Sequence, residues 1–312
     1  NTVEGIPYVD EKVLSLFSSK EALNINGDDM DKLSSGTRGI PEYGTTFVRG
    51  MLETIKPNTY ADIIKVSGLS HGTDVWAKNA EDLVKGIIPD LPKVEFKEVI
   101  GCRDDIMLYL VEKGLPAHDA FTIMEKVRKG NGLTPEQEAL MIKHHVPDWY
   151  IYSCKKIKYM FPKAHATAYV IMALRIGWFK VYRPIYYYAA YFSKRAKEFD
   201  PEILANGRNA IRNKITEIET KIAKKEDVTK KETDLLPVLY IALEMVLRGY
   251  SFKQINVKKS EATDFVISED KKSLYLPFIA VESLGDTVAY SIIEARNKHE
   301  FTSITDFEIR TS

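Results

Sequence analysis

The chain has 312 residues, 45% of them hydrophobic, and its 44 basic and 44 acidic side chains cancel. That length allows two ordinary domains with a sizeable core. No window approaches the roughly 18 consecutive apolar residues of a membrane span. Its two cysteines, Cys102 and Cys154, exclude a disulfide framework and lack the spacing of a zinc site.

Residues 1–40 read as loop-rich with one short helix, "DEKVLSLFSS", in which Val13, Leu14 and Phe17 recur at helical spacing. "RGIPEYG" is a turn, and "TTFVRGMLETI" starts a helix with Phe47, Met51, Leu52 and Ile55 on one face. In "KPNTYADIIKVSGLSHG", Thr59 predicts an N-cap and Gly68 predicts the helix end. Further helices are predicted at "AEDLVKGII", "CRDDIMLYLVEKG", "HDAFTIMEKVRKGNG", "TPEQEALMIKHH", "PDWYIYSCKKIKYM" and "HATAYVIMALRIGWFKVY". "RPIYYYAAYFSKRAKEF" follows, with Pro184 at a first helical position. After "FDPE" come a highly charged helix, "GRNAIRNKITEIETKIAKKED", and the amphipathic "TKKETDLLPVLYIALEMVLRGY". "ATDFVISEDKKSLYLPF" leans towards β structure around a polar turn, and "IAVESLGDTVAYSIIEARN" reads as two helices joined at "SLGD". The fold class is mainly α.

Neutrality of the whole hides local asymmetry. Acids outnumber bases over residues 1–35, and residues 150–200 are strongly basic, with only Glu198 and Asp200 opposing. Local fields decide what docks, and the basic stretch would attract phosphate.

Within it, "KKIKYMFPKAHATAY" interleaves Lys155, Lys156, Lys158 and Lys163 with Tyr159, Phe161 and Tyr169. Ammonium groups can meet phosphate oxygens, and aromatic faces can stack on a base. His165 is predicted to open a helix, whose free N–H groups and dipole favour an anion. The same pattern also suits a solvated basic face over an aromatic core. "SGLSHGTDVW" sets Ser70, His71 and Thr73 between Gly68 and Gly72, where a ligand could approach backbone amides. Helix capping, by Gly68 on one side and Thr73 or Asp74 on the other, accounts for those residues equally simply. In "GCRDDIM", Arg103 could clamp a phosphate and Asp104 with Asp105 could hold magnesium; acids in a first helical turn are also ordinary dipole partners, the favoured reading here. "IAVESLGDTVAYSIIEAR" resembles a helix–hairpin–helix, which turns backbone N–H groups towards a DNA phosphate without reading sequence. Ser283 stands where that pattern has its first glycine, and only Gly285 of the pair remains; Arg296 and Lys298 would add a phosphate contact.

Taken together, "GIPEYGTTFVRGMLE" (39–53), "SGLSHGTDVW" (67–76), "EVIGCRDDIMLYL" (98–110), "VPDWYIYSCKKIKYMFPKAHATAYV" (146–170), "ALEMVLRGYSFKQI" (242–255) and the hairpin resemble, in order, the C-terminal part of a bacterial DNA polymerase III alpha subunit of the PolC type. The resemblance implies a helical fingers domain over 41–200, preceded by a connector over 1–40 from an upstream palm. It implies a smaller α-rich duplex-binding domain over 201–312, with the helix–hairpin–helix and a short β element, truncated at its end. It implies a nucleotide or guanine-mimicking inhibitor site of Ser70, His71, Thr73, Arg103, Phe161, Lys163, His165 and Tyr169. DNA contacts are expected from Lys155, Lys156, Lys158, Ser283, Gly285, Thr287, Arg296 and Lys298.

The family's catalytic aspartates and their two magnesium ions belong to the palm. No catalytic residue and no metal ligand is therefore expected here. The implied partners are primer–template DNA, a deoxynucleoside triphosphate, the palm and thumb of the same polymerase, and a sliding clamp reached through a tail beyond residue 312. No membrane and a cytoplasmic location at the replication fork complete the expectation: the chain starts at Asn1, reads as cut from a longer protein and has no visible signal peptide. The alternative is a non-enzymatic helical DNA-binding module that grips phosphate without using nucleotide.

Overall fold

The computed structural model describes residues 5–7, 9–25 and 27–311. Fifteen α-helices and three short strands are found among them, so the mainly α class holds. They group into two compact units: residues 1–19 with 40–175, and residues 20–39 with 176–312.

In the first unit, α1 (Glu11–Ser15) is capped by Asp10, whose carboxylate accepts the Val13 N–H. α2 (Thr46–Ile55) and α3 (Tyr60–His71) start at Thr45 and Thr59, whose hydroxyls accept N–H groups of the first turn. Asp62 returns the favour to the Thr59 N–H, completing a capping box. The short α4 (Glu81–Lys85) follows an irregular wide turn over Trp76–Ala80. α5 (Arg103–Glu112) packs against α6 (Ala117–Arg128), and α7 (Pro135–Lys143) against α8 (Asp148–Lys156). Phe17, Tyr43, Leu52, Ile63, Val66 and Ile106 are fully buried, with the rings of Phe17 and Tyr43 edge to face at 4.9 Å. The division between the units falls within α9 (Lys163–Tyr182), after Arg175.

The second unit holds α10 (Pro184–Lys194), with Pro184 at its first position as predicted, α11 (Pro201–Ala205), α12 (Arg208–Lys224) and α13 (Lys230–Leu247). One stripe of α12, Ile211, Ile215 and Ile218, is buried in the same core as Leu239 and Leu243 of α13 and Tyr188 and Phe192 of α10. The remainder of α12 is charged and solvated, which explains how so polar a helix is retained. β1 (Ser251–Lys253), β3 (Ser273–Tyr275) and β2 (Val266–Ile267) form a sheet in that order, β1 parallel and β2 antiparallel to β3. Leu274 pairs with Phe252 on one side and Ile267 on the other. α14 (Asp286–Lys298) and α15 (Ile304–Thr311) finish the chain over a small cluster of Ala262, Phe278, Ala289 and Ile292. No helix among the described residues is long and apolar enough to cross a membrane.

Several local expectations are corrected. Gly68 does not end α3, which runs to His71; a Cβ there would stand 2.3 Å from the Gly101 carbonyl oxygen, so the glycine serves close packing. Neither Thr73 nor Asp74 caps a helix: Thr73 pairs with Tyr159 in an isolated antiparallel bridge, and Asp74 has φ 55°. α9 begins at Lys163, two residues before His165. The first arm of the hairpin motif is one 3-10 turn, Phe278–Ala280, and Val281 beyond it is 40% exposed, so little apolar burial is on hand to extend it. The sequence boundaries at 40 and 200 follow motifs, whereas the compact units follow packing, which draws residues 20–39 to the C-terminal unit.

Candidate nucleotide and nucleic-acid interface

Four of the residues singled out in the sequence meet as rings in the first unit. His71 ends α3, Phe161 lies just before α9, and His165 and Tyr169 sit on its first two turns. The His71 ring stacks at 5.1 Å from Phe161 and at 5.9 Å from Tyr169, nearly parallel to the latter. Phe161 meets His165 edge to face at 5.1 Å, and His165 lies 5.8 Å from Tyr169. Phe161 and Tyr169 are half-buried and His165 is exposed, so the cluster has an open side.

The backbone brings these elements together. Thr73 N–H donates to the Tyr159 carbonyl at 2.9 Å, and Lys158 N–H to the Thr73 carbonyl at 3.0 Å, tying the 72–74 turn to the 158–161 segment. Gly72 permits this: a Cβ would lie 2.8 Å from the Tyr159 carbonyl oxygen. Arg103 N–H donates to the Phe161 carbonyl at 3.3 Å, which places the start of α5 beside the ring cluster. Lys163 N–H donates to Asp104 Oδ2 at 2.8 Å, so Asp104 caps α9. Asp105 Oδ2 accepts the N–H groups of Gly101 and Cys102 at 2.9 and 3.2 Å. Both acids thus do helix-terminal work, in line with the dipole reading. No group of three or more metal-ligating side chains occurs among the described residues.

Lys163 also lines an open cavity of about 510 Å³ with Lys65, Lys97, Cys102, Asp105 and the first turn of α3. Lys65 donates to the carbonyls of Lys97 and Val99, and burial lowers its pKa, with Asp105 opposing. Burial pushes the Cys102 thiol up to about 12, so it stays protonated and is a poor nucleophile. Ser70 is half-buried, its hydroxyl donating to the Ser67 carbonyl at 3.0 Å, and Thr73 is exposed.

The basic helix end is uneven. Lys155 pairs with Glu138 at 2.6 Å and Lys156 lies over the Tyr152 ring, both partly committed within the chain. Lys158 is exposed and in no salt bridge among the described residues.

In the second unit, Ser283 turns the hairpin at φ 66°, the left-handed conformation for which the motif uses glycine. Gly285 is the N-cap of α14 and caps with no side chain, and Thr287 in the first turn is exposed. First-turn N–H groups left without a side-chain acceptor suit an anion. Arg296 faces inward instead: its guanidinium donates to the Ser260 carbonyl at 2.5 Å and to Glu261 at 2.9 Å. It ties α14 to the 257–261 loop, while Lys298 is exposed.

The family described as bacterial DNA polymerase III alpha subunit finger domain matches residues 1–146, and the helix-hairpin-helix motif matches residues 249–312. Proteins named DNA polymerase III PolC-type match this chain over almost all of its length. The one from Oceanobacillus iheyensis is 52% identical over 308 residues, 99% of this chain and 21% of that protein. Those from Mycoplasmopsis pulmonis and Bacillus subtilis are 48% and 50% identical over 311 and 305 residues, covering 99% and 98% of this chain and 21% and 20% of theirs.

Over nearly its whole length the chain is similar to one stretch of PolC-type DNA polymerase III proteins.

It spans about one fifth of the length of the PolC-type relatives it matches. The finger-domain match starts at residue 1 and so takes in the segment read as a connector. It stops before α8, so the ring-bearing 159–169 segment lies beyond the finger-domain match. Sequence reasoning missed Glu42, whose Oε2 lies 2.8 Å from His71 Nε2. The available signal was "IPEYG", a turn with a charged residue at the position that takes φ 68°.

Proposed function

We propose that the chain forms the nucleotide- and duplex-contacting surfaces of a replicative DNA-directed DNA polymerase, able to polymerise only with a palm outside it. The observation that carries this reading is the ring cluster of His71, Phe161, His165 and Tyr169, set beside the first turns of α5 and α9. In this reading the base of an incoming deoxynucleoside triphosphate stacks beside Phe161 and Tyr169, with Ser70 and Thr73 at the edge of the site. The triphosphate meets the charged side chains of Lys163 and Arg103. A guanine-mimicking inhibitor competes for the same place. Lys155, Lys156 and Lys158, with the hairpin at Ser283, Gly285, Thr287 and Lys298, grip the phosphates of primer–template DNA.

Magnesium that assists phosphoryl transfer would be bound outside this chain, because Asp104 and Asp105 are occupied with backbone N–H groups and do not fit a metal site. The palm and thumb, and a sliding clamp at the replication fork in the cytoplasm, are the further partners this reading carries.

Steady-state kinetics on an intact polymerase carrying this chain test it. Phe161→Ala and Lys163→Ala are each expected to raise the nucleotide KM about tenfold or more, with primer–template affinity within about twofold of the parent. Unchanged KM with weakened DNA binding would instead favour the non-enzymatic DNA-gripping module.

A further inference from the structure

Each ring nitrogen of His71 has an oxygen within hydrogen-bond distance, and a neutral imidazole donates its single N–H to one of them. Nε2 lies 2.8 Å from Glu42 Oε2 and Nδ1 lies 2.7 Å from the Ser67 carbonyl. Two acceptors on opposite sides leave the ring no free N–H for a ligand. His71 can therefore offer a nucleotide its ring surface and its packing on Phe161 and Tyr169, but no hydrogen bond to phosphate.

The carboxylate beside Nε2 comes from an unusual place. Glu42 has φ 68°, where glycine or asparagine is the ordinary occupant. The turn that carries it is anchored on either side. Tyr43 is completely buried and donates from its hydroxyl to the Ile63 carbonyl of α3 at 2.9 Å, and Ile40 is buried as well. The anchor and the ligand of that anchor are thus both on α3, one at Ile63 and the other at His71. A non-glycine residue in a left-handed turn costs stability unless its side chain returns something. Here the return is visible: the carboxylate fixes the imidazole around which two other rings are arranged.

We infer that Glu42 is a positioning residue for the nucleotide site, holding His71 so that Phe161 and Tyr169 present a fixed aromatic wall to the base. This rests on the reading of the ring cluster as the nucleotide site. Glu42 touches no ligand in this scheme. Without the carboxylate, the imidazole turns about its Ser67 contact, and Phe161 and Tyr169 lose the surface they pack against. The nucleotide then has to order the wall on binding, which weakens ground-state affinity more than the step that follows.

The choice of variant separates positioning from turn structure. Glycine is the residue best suited to φ 68°, so Glu42→Gly relieves the backbone while deleting the carboxylate. An intact polymerase carrying Glu42→Gly is expected to keep its thermal stability and primer–template affinity, yet to show a nucleotide KM about tenfold higher with kcat within about twofold. Glu42→Gln keeps an acceptor for Nε2–H and is expected to recover most of the KM. A Glu42→Gly enzyme with parental KM overturns the inference, as does a Glu42→Gln enzyme no better than the glycine variant. Phe161→Ala, run alongside, tells the two failures apart. If it raises KM while the Glu42 variants do not, only the positioning role falls; if neither changes KM, the nucleotide reading falls with it.

Discussion

Gly68 shows how a residue with an evident local meaning serves a distant one. In sequence it stands where an α-helix with a good N-cap would stop. In the fold it is buried in the third turn of α3 with the Gly101 carbonyl oxygen 2.3 Å from where a Cβ would be, and the Gly101 carbon at 3.0 Å. The neighbour is backbone and cannot swing aside. Gly101 also donates to Asp105 in the cap of α5, whose first residue, Arg103, is bonded to Phe161. Gly68→Ala is therefore expected to cost about 1–3 kcal/mol of stability in urea denaturation, despite the better helix propensity of alanine. A variant as stable as the parent would show that the two segments separate without loss. Phe161, His165 and Tyr169 were legible because aromatic and basic side chains alternate in one stretch, whereas His71 comes from a separate turn that capping explained as simply. Gly68 and Glu42 were not, since each is explained by a partner that sequence adjacency does not reveal.

Helices were the readable level, and their starts more so than their ends. Thr59, Thr134 and Thr229 each begin a helix with a reciprocal capping box, and each is visible as a threonine followed three residues later by Asp, Gln or Glu. The start of α9 was misplaced because its cap is Asp104, far away in the chain. The box at Thr229 also makes a pH prediction. Lys221, by hydrogen bonding, and then the Thr229 N–H hold the Glu232 carboxyl down to about 2 from its ordinary 4.5. A carboxylate with a depressed folded-state pKa stabilises the fold above its unfolded pKa, and that contribution fades as pH falls from about 4.5 towards about 2. Glu232→Gln should thus narrow the stability difference between pH 6 and pH 3, followed by urea midpoints. A slope identical to the parent's would remove Glu232 from the acid response.

At the scale of the whole chain, the two compact units are not two consecutive stretches. Residues 20–39 belong with 176–312, and this was the least legible feature because nothing in their loop-rich sequence names a partner. The partner is a buried lysine. Lys180, with no exposed surface, donates to the carbonyls of Gly36 and Arg38 at 2.8 and 2.6 Å and to Glu244 Oε2 at 3.0 Å. Tyr188 donates to the other Glu244 oxygen at 2.7 Å, and Arg248 donates to the Lys180 carbonyl and the Tyr188 hydroxyl. Gly39 lets the segment lie against this network, since a Cβ at its φ of 76° would meet the Tyr187 hydroxyl at 2.4 Å. Removing one member of a buried pair leaves the other charged and unmatched, which costs more than the pair contributes. Lys180→Met is accordingly expected to lose about 3–5 kcal/mol, and to expose residues 20–39 to limited proteolysis before the rest of their unit. Adding Glu244→Gln should recover part of the stability by removing the stranded charge, but not the protease resistance, because the Gly36 carbonyl still lacks its lysine donor and the Arg38 carbonyl keeps only the Tyr187 hydroxyl at 3.3 Å. Full recovery of both would mean that the segment is held by its apolar contacts, Ile25 and Met30 on the core of the unit, and that the lysine only balances Glu244.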